Sequence, residues 1–361
     1  MMGPGLAVAV ALRFVACLSA VAPAQGPEAV ERRVVAMGTT LDVAVRLPER
    51  ASALAATQQA IEEVARVEAL LTTWREGGPL DRVNRARPNA PVAASPELIG
   101  LLEQTFAWSH RTGQAFDPTV APLVRAWDLR GAGRIASSEE IAAARTATGT
   151  DHFRLEPESG TVVRLAEASA IDEGAWGKGY ALDRAALRLQ EAGAADALLD
   201  LGGQTLALGN DRGGAWSVLV AHPRRRGQAV VRLALPAGHS LSTSGNSERG
   251  LTVAGRRIGH LLDPQTGEPA ADFGSVSVLS ASGLLADILS TAFFVLGPRD
   301  GLALSERLRR EGAAHEVLFL IDRGQTLEAL CSPGLQPLVL SVDTAVVVGL
   351  AKNNSDRRSR P

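Results

Sequence analysis

The stretch ALLDLGGQTLALGNDRGGAWSVLVAHPRRRGQAVVRLAL, Ala197 to Leu235, decides the fold class of this chain. Extended segments read at residues 197–201, 206–208, 216–221 and 229–235, rich in Leu and Val and separated by Gly, Asn-Asp and Pro-Arg turn residues. The gaps leave no room for crossover helices, so neighbouring segments should pair antiparallel. The expectation is an α+β fold of mixed, largely antiparallel sheets flanked by helices.

Outward from that stretch, residues 34–47 read as a strand pair or as one bent strand broken at Gly38. Residues 275–280 and 316–321 read as further strands. Residues 52–71 have the period of an amphipathic helix, with Leu54, Ile61, Val64 and Leu71 inward. Ser95-Pro96-Glu97 starts a second helix, a cap followed by Pro, which runs to about His110. Residues 137–140 hold a capping box. From Tyr180 a face of Leu182, Ala186 and Leu189 runs helically to a stop at Gly193, and residues 284–296 form an apolar helix. Ser242-Thr243-Ser244-Gly245-Asn246 is a small, hydroxyl-rich segment, able to hydrogen-bond a polar ligand but equally a loop tip.

A net charge of −2, with 21% charged residues of both signs and only 4% aromatics, argues against a nucleic-acid partner. Residues 28–350 suffice for one domain with a full core, and residues 351–361 read as a disordered tail. Residues 1–27 carry one charge, Arg13, and an apolar run too short and interrupted to span a membrane. They read as an export leader, cleaved after Ala22-Pro23-Ala24 or lipidated at Cys17, which would be the chain's one link to a membrane. Cys331 is then left without an internal partner.

Of the 37 Lys and Arg residues only Lys178 and Lys352 are Lys. Lys178 therefore marks a place that needs a compact ammonium. It lies among Gly174, Gly177 and Gly179, a bare turn that opens into a helix and suits a phosphate. A tight turn carrying a surface Lys accounts for the same residues. Neither a P-loop nor a Rossmann fingerprint is present. Asp287 and Thr291 are four apart on an apolar helix, hence on one face. A carboxylate there either caps the helix or binds a hard cation such as Mg²⁺. His260, one of six His, ends an extended stretch before the turn Asp263-Pro264-Gln265-Thr266-Gly267.

Taken together, these pieces resemble the FAD:protein FMN transferases. The resemblance spans residues 37 to about 297. Its motifs occur in order: Met37-Gly38-Thr39, Thr73-Trp74 with Asn84, residues 116–124, residues 171–183, Asp200-Leu201-Gly202-Gly203, Thr243-Ser244-Gly245, residues 260–267, and Asp287 with Thr291. It implies a periplasmic enzyme that splits FAD, releases AMP and attaches FMN to a Thr or Ser of an acceptor redox protein. By the same resemblance, FAD would contact Met37, Trp74, Ala115, Phe116, Asp117, Asp172, Lys178 and His260. Mg²⁺ would bind Asp287, Thr291 and an oxygen of Ala175, and His260 or Asp287 would be the base. An FAD pyrophosphatase and a non-catalytic FAD binder are the competing readings. Trp74 stands where the family often has Tyr, and Glu173, Trp176 and Gly177 where it more often has Leu, Ile and Ala. Ser247 replaces an aromatic residue.

Overall fold

The computed structural model describes residues 29–247, 251–253 and 255–350. The leader with Cys17 and the tail at 351–361 lie outside the described residues. A hairpin of β1 (Val30–Ala36) and β2 (Thr39–Arg46) leads into α1 (Arg50–Leu71) and α2 (Pro79–Arg85). There follow β3 (Pro91–Ala93), α3 (Pro96–Arg111), α4 (Ala121–Ala126), α5 (Ser138–Thr146), β4 (Phe153–Glu156), β5 (Thr161–Arg164) and α6 (Gly177–Glu191). The strand-rich half comprises β6 (Asp196–Leu201), β7 (Gln204–Leu208), β8 (Trp216–His222), β9 (Arg225–Leu235) and β10 (His239–Gly245). It continues with β11 (Leu251–Val253), β12 (Arg256–Ile258) and β13 (Gly274–Ser280). The chain then runs through α7 (Gly283–Arg310), β14 (Glu316–Asp322), β15 (Leu327–Cys331), β16 (Val339–Val342) and β17 (Val346–Leu350).

Nine strands form the main sheet in the order β1-β2-β6-β7-β10-β13-β14-β15-β17. Every pairing is antiparallel except β15 with β17. The α+β expectation holds. The stretch at 197–235 divides between two sheets: β6 and β7 join the large one, while β8 and β9 pair with β16 in a smaller one. Alternation explains the layering. On β6, Ala197, Leu199 and Leu201 face the core beneath α1 and α6, and Leu198 faces the core shared with the smaller sheet. Helix α7 seals the remaining part, with Ile288 and Ala292 beside α6 and Leu289, Phe293 and Phe294 over β13 and β14.

Three expectations change. Leu54 is 41% exposed, and the inward face of α1 is Ala53, Ala56, Ala60, Val64 and Val67. Small residues there let α1 lie close to α6, which the larger Leu54 would prevent. The helix after Lys178 begins at Gly177 rather than Tyr180, so Lys178 stands in its first turn. The hydroxyl-rich segment is no loop: Ser242, Thr243 and Ser244 belong to β10, a central strand. At Gly38 the strand pair is the form adopted, with Met37 and Gly38 at φ 49 and 71 as a two-residue hairpin turn requires.

Candidate active site

Two glycines set the centre. A Cβ on Gly179 of α6 would stand 2.1 Å from the Gly283 carbonyl oxygen, and one on Gly283 would stand 2.6 Å from that of Gly179. The helices touch backbone to backbone, which only glycine allows. Gly179 therefore serves the helix crossing, not ligand approach. Asp183, one turn further along α6, accepts from Gly283 N (2.6 Å), Leu284 N (3.0 Å) and Ser282 Oγ (3.1 Å). Burial pushes its carboxyl above the usual range, opposed by those same hydrogen bonds. Ser282 caps α7 as well, accepting from Leu285 N at 3.2 Å.

With both caps supplied, Asp287 is not the helix cap. Its carboxylate is buried and takes Gly179 N at 3.1 Å, with Lys178 Nζ at 3.4 Å from each oxygen. Ser242 Oγ of β10 lies 3.4 Å from Oδ1. Ser290 donates to the Asp287 carbonyl (3.0 Å) and meets Ser242 at 3.2 Å and Ser244 at 2.9 Å. The even-numbered serines of β10 thus face α7, and this polar seam is why the strand lacks a hydrophobic period. A buried carboxylate needs such partners. Lys178 itself keeps 26% of its side chain exposed, so its ammonium can serve both Asp287 and an anion from solvent.

The turn before α6 gathers the next residues. Asp172 accepts from Gly174 N (2.8 Å) and from Arg130 Nη2 (2.6 Å), and its carbonyl accepts from the buried Trp176 indole (2.8 Å). Glu173 takes the Thr73 hydroxyl at 2.6 Å. Burial, with the nearby Asp172 charge, raises its carboxyl above the usual range. Arg130 lies 4.5 Å over the Trp74 ring. The methyl end of Met37 packs against Gly177, and Met37 N is fixed by Glu68 Oε2 at 2.9 Å.

Ala115 and Phe116 are buried in the core. Asp117 is also buried, receiving Thr119 N at 2.8 Å and its hydroxyl at 2.5 Å, and burial raises its carboxyl. That loop runs beside the turn, with Asp172 N donating to Pro118 O at 2.7 Å. His260 is half-buried after β12, next to Gly259 in the wall of a cavity of about 240 Å³ that Trp127, Asn246, Arg257 and Asp272 also line. Ala175 and Thr291 are both half-buried. Asp183 and Arg130 were not foreseen. Asp183 lies inside the 171–183 motif, four residues after Gly179, which is a readable signal; Arg130 has none.

Residues 37–315 match the sequence profile of the ApbE family. The chain belongs to that family. It is 30% identical to the FAD:protein FMN transferase of Klebsiella pneumoniae strain 342 across 82% of this chain and 85% of that protein. Among solved structures it resembles the ApbE protein of Thermotoga maritima, with TM-score 0.74, 29% identity, and 80% and 94% of the two chains covered. It also resembles the flavinyl transferase ApbE of Pseudomonas stutzeri, with TM-score 0.75, 27% identity, and 88% and 99% covered. In this ApbE-family chain Asp287 offers carboxylate oxygens, and Thr291 follows one helical turn later with a hydroxyl. That donor set is hard oxygen throughout and suits Mg²⁺, whose remaining positions are ordinarily filled by phosphate and water.

Proposed function

We propose that this chain is an FAD:protein FMN transferase, which cleaves the pyrophosphate of FAD, releases AMP and joins FMN by a phosphoester to a Thr or Ser of another protein. The observation that carries this reading is the meeting of Lys178, Gly179 and Asp287 at the helix crossing, within a chain matched over residues 37–315 by the ApbE family. The acceptor hydroxyl oxygen attacks the phosphorus of the FMN half. The phosphorus–oxygen bond to the AMP half breaks, and its electron pair leaves on the AMP phosphate. The hydroxyl proton would pass to His260 or Asp287, the two candidate bases. The Lys178 ammonium offsets charge on the pyrophosphate, and the N-terminal turn of α6 favours an anion beside it.

Mg²⁺ would be held by Asp287, Thr291 and the Ala175 carbonyl, and when bound would neutralise further charge on the phosphates. The leader at 1–27, cleaved or lipidated at Cys17, would take the enzyme to the periplasm. Its partner there would be a redox flavoprotein subunit that presents a Thr or Ser on an exposed segment, since the hydroxyl must align with the phosphorus. Incubation with FAD, Mg²⁺ and such an acceptor should add the mass of FMN less water to one Thr or Ser, with matching AMP. AMP and free FMN appearing at one rate with and without acceptors would make the chain an FAD pyrophosphatase instead. FAD bound but unchanged would make it a binder.

A further inference from the structure

Trp74 is 62% exposed, an unusual setting for the largest apolar side chain. Its backbone is fixed through Trp74 N to Thr72 Oγ1 at 3.3 Å, and its ring lies under the Arg130 guanidinium. That guanidinium is locked in turn. Nη1 donates to the Thr73 carbonyl (3.0 Å), and Nη2 to the Thr73 hydroxyl (2.7 Å) and to Asp172 Oδ2 (2.6 Å). The Thr73 hydroxyl donates to Glu173 Oε2, so residues 73 and 74 are stitched to the turn that leads into Ala175 and Lys178. An indole has two faces. Arg130 covers one, and the side chain remains largely open to solvent.

We propose that Arg130 is a positioning residue: it braces the Trp74 indole as a stacking platform for the isoalloxazine ring of FAD and ties that platform to the Asp172–Glu173 turn. The inference rests on reading this site as an FAD site. A cation behind an indole holds it by cation–π attraction and fixes the ring before the ligand arrives, reducing the ordering that binding would otherwise require. Trp74 and Glu173 meet in this one cluster with Arg130 between them. The three side chains make sense as a unit: a wide ring, a planar cation to back it, and a buried acid beside the cation.

The test is a double-mutant cycle on the full chain, with Arg130→Met, Trp74→Ala and both together. FAD, riboflavin and ADP are titrated separately, the flavins by fluorescence quenching and ADP by calorimetry. Arg130→Met should weaken FAD and riboflavin by about three- to tenfold. ADP should bind as it does to wild type, because it lacks the flavin ring. The rate of AMP release at saturating FAD should stay within about twofold, leaving a KM effect. In the Trp74→Ala background, adding Arg130→Met should cost nothing further, the signature of action through Trp74. Arg130→Lys, which keeps charge but loses the planar fork, should restore part of the loss. Equal loss of ADP affinity, an undiminished Arg130→Met effect without Trp74, or unchanged flavin affinity would each overturn the proposal. Absence of FAD binding by the wild type would sink the transferase reading too, which separates the two failures.

Discussion

The two ends of the segment 171–183 are built differently. At Gly179 the chain meets α7 through main-chain atoms, carbonyl against glycine, and at Asp183 through one buried carboxylate held by two main-chain N–H groups and the Ser282 hydroxyl. At Asp172 and Glu173 it meets Thr73, Trp74 and Arg130 through side chains, some of them half open to solvent. A main-chain contact has no rotamer to adjust, so it fixes Lys178 against Asp287 within narrow limits. A side-chain brace can be rebuilt with other residues. The end proposed to bind phosphate should therefore tolerate nothing, and the end proposed to bind the flavin ring a good deal.

The largest break in that comparison would come from Gly179→Ala. On an ordinary helix surface this change stabilises by about 1 kcal/mol. Here the new methyl would fall 2.1 Å from the Gly283 oxygen, so α6 and α7 must separate. A loss of about 3 kcal/mol or more is expected, together with loss of AMP release. Thermal unfolding and an AMP assay read both. A variant at least as stable as wild type and still active would show that the crossing is not rigid.

Asp287→Asn comes next and separates chemistry from packing. The amide oxygen can still accept from Gly179 N, so the crossing should survive and melting should change little. The charge facing Lys178 and the proposed Mg²⁺ site is gone. Mg²⁺-dependent AMP release should fall by about 10²- to 10³-fold. Activity unchanged by this substitution and by EDTA would remove Asp287 from the site.

The same contrast governs what could be read in the sequence. Lys178 with its glycines, and Asp287 four residues before Thr291, were legible because each lies in a single short motif with a recognisable period. That Asp287 is not a cap could not be read, since the capping carboxylate, Asp183, reaches α7 from another helix. The strand character of β10 was not legible because its inward face is Ser240, Ser242 and Ser244, polar residues satisfied by Thr205 of β7 and by Asp287 and Ser290 of α7. Arg130 was invisible: it lies 57 residues from Thr73 and 42 from Asp172, and it is one Arg among many. Paired strands and periodic helices follow from local pattern, whereas a network of distant polar side chains does not.

A third measurement asks whether α7 needs its far half to hold Asp287 in place. Gly297, at φ 74 before Pro298, divides the helix, and beyond it Ser305 meets His315 Nε2 at 2.8 Å. Burial lowers the pKa of His315 to about 4, from the 6.5 usual for a histidine. The neutral ring is therefore the folded form. Its contribution is complete above pH 6.5 and is lost as pH falls through about 4, amounting to about 3 kcal/mol. Urea unfolding between those limits should show the decline, and His315→Gln should flatten it. If AMP release at saturating FAD falls in step with stability across that window, the far half of α7 supports the crossing. A stability curve that His315→Gln leaves unchanged would remove His315 from the account.

The smallest effect should come from Trp74→Tyr, which restores the residue common in the family. Tyr offers a narrower face to a flavin and a weaker partner to Arg130, but it remains a planar ring on the same backbone. The Thr73, Arg130 and Asp172 contacts that carry the brace do not use the indole itself. FAD affinity, read by flavin fluorescence, should therefore fall by no more than about threefold. AMP release at saturating FAD should not change, because nothing at the helix crossing has moved. A loss of turnover comparable with that of Asp287→Asn would mean the ring end is as unforgiving as the phosphate end, and the distinction between main-chain and side-chain construction would fail.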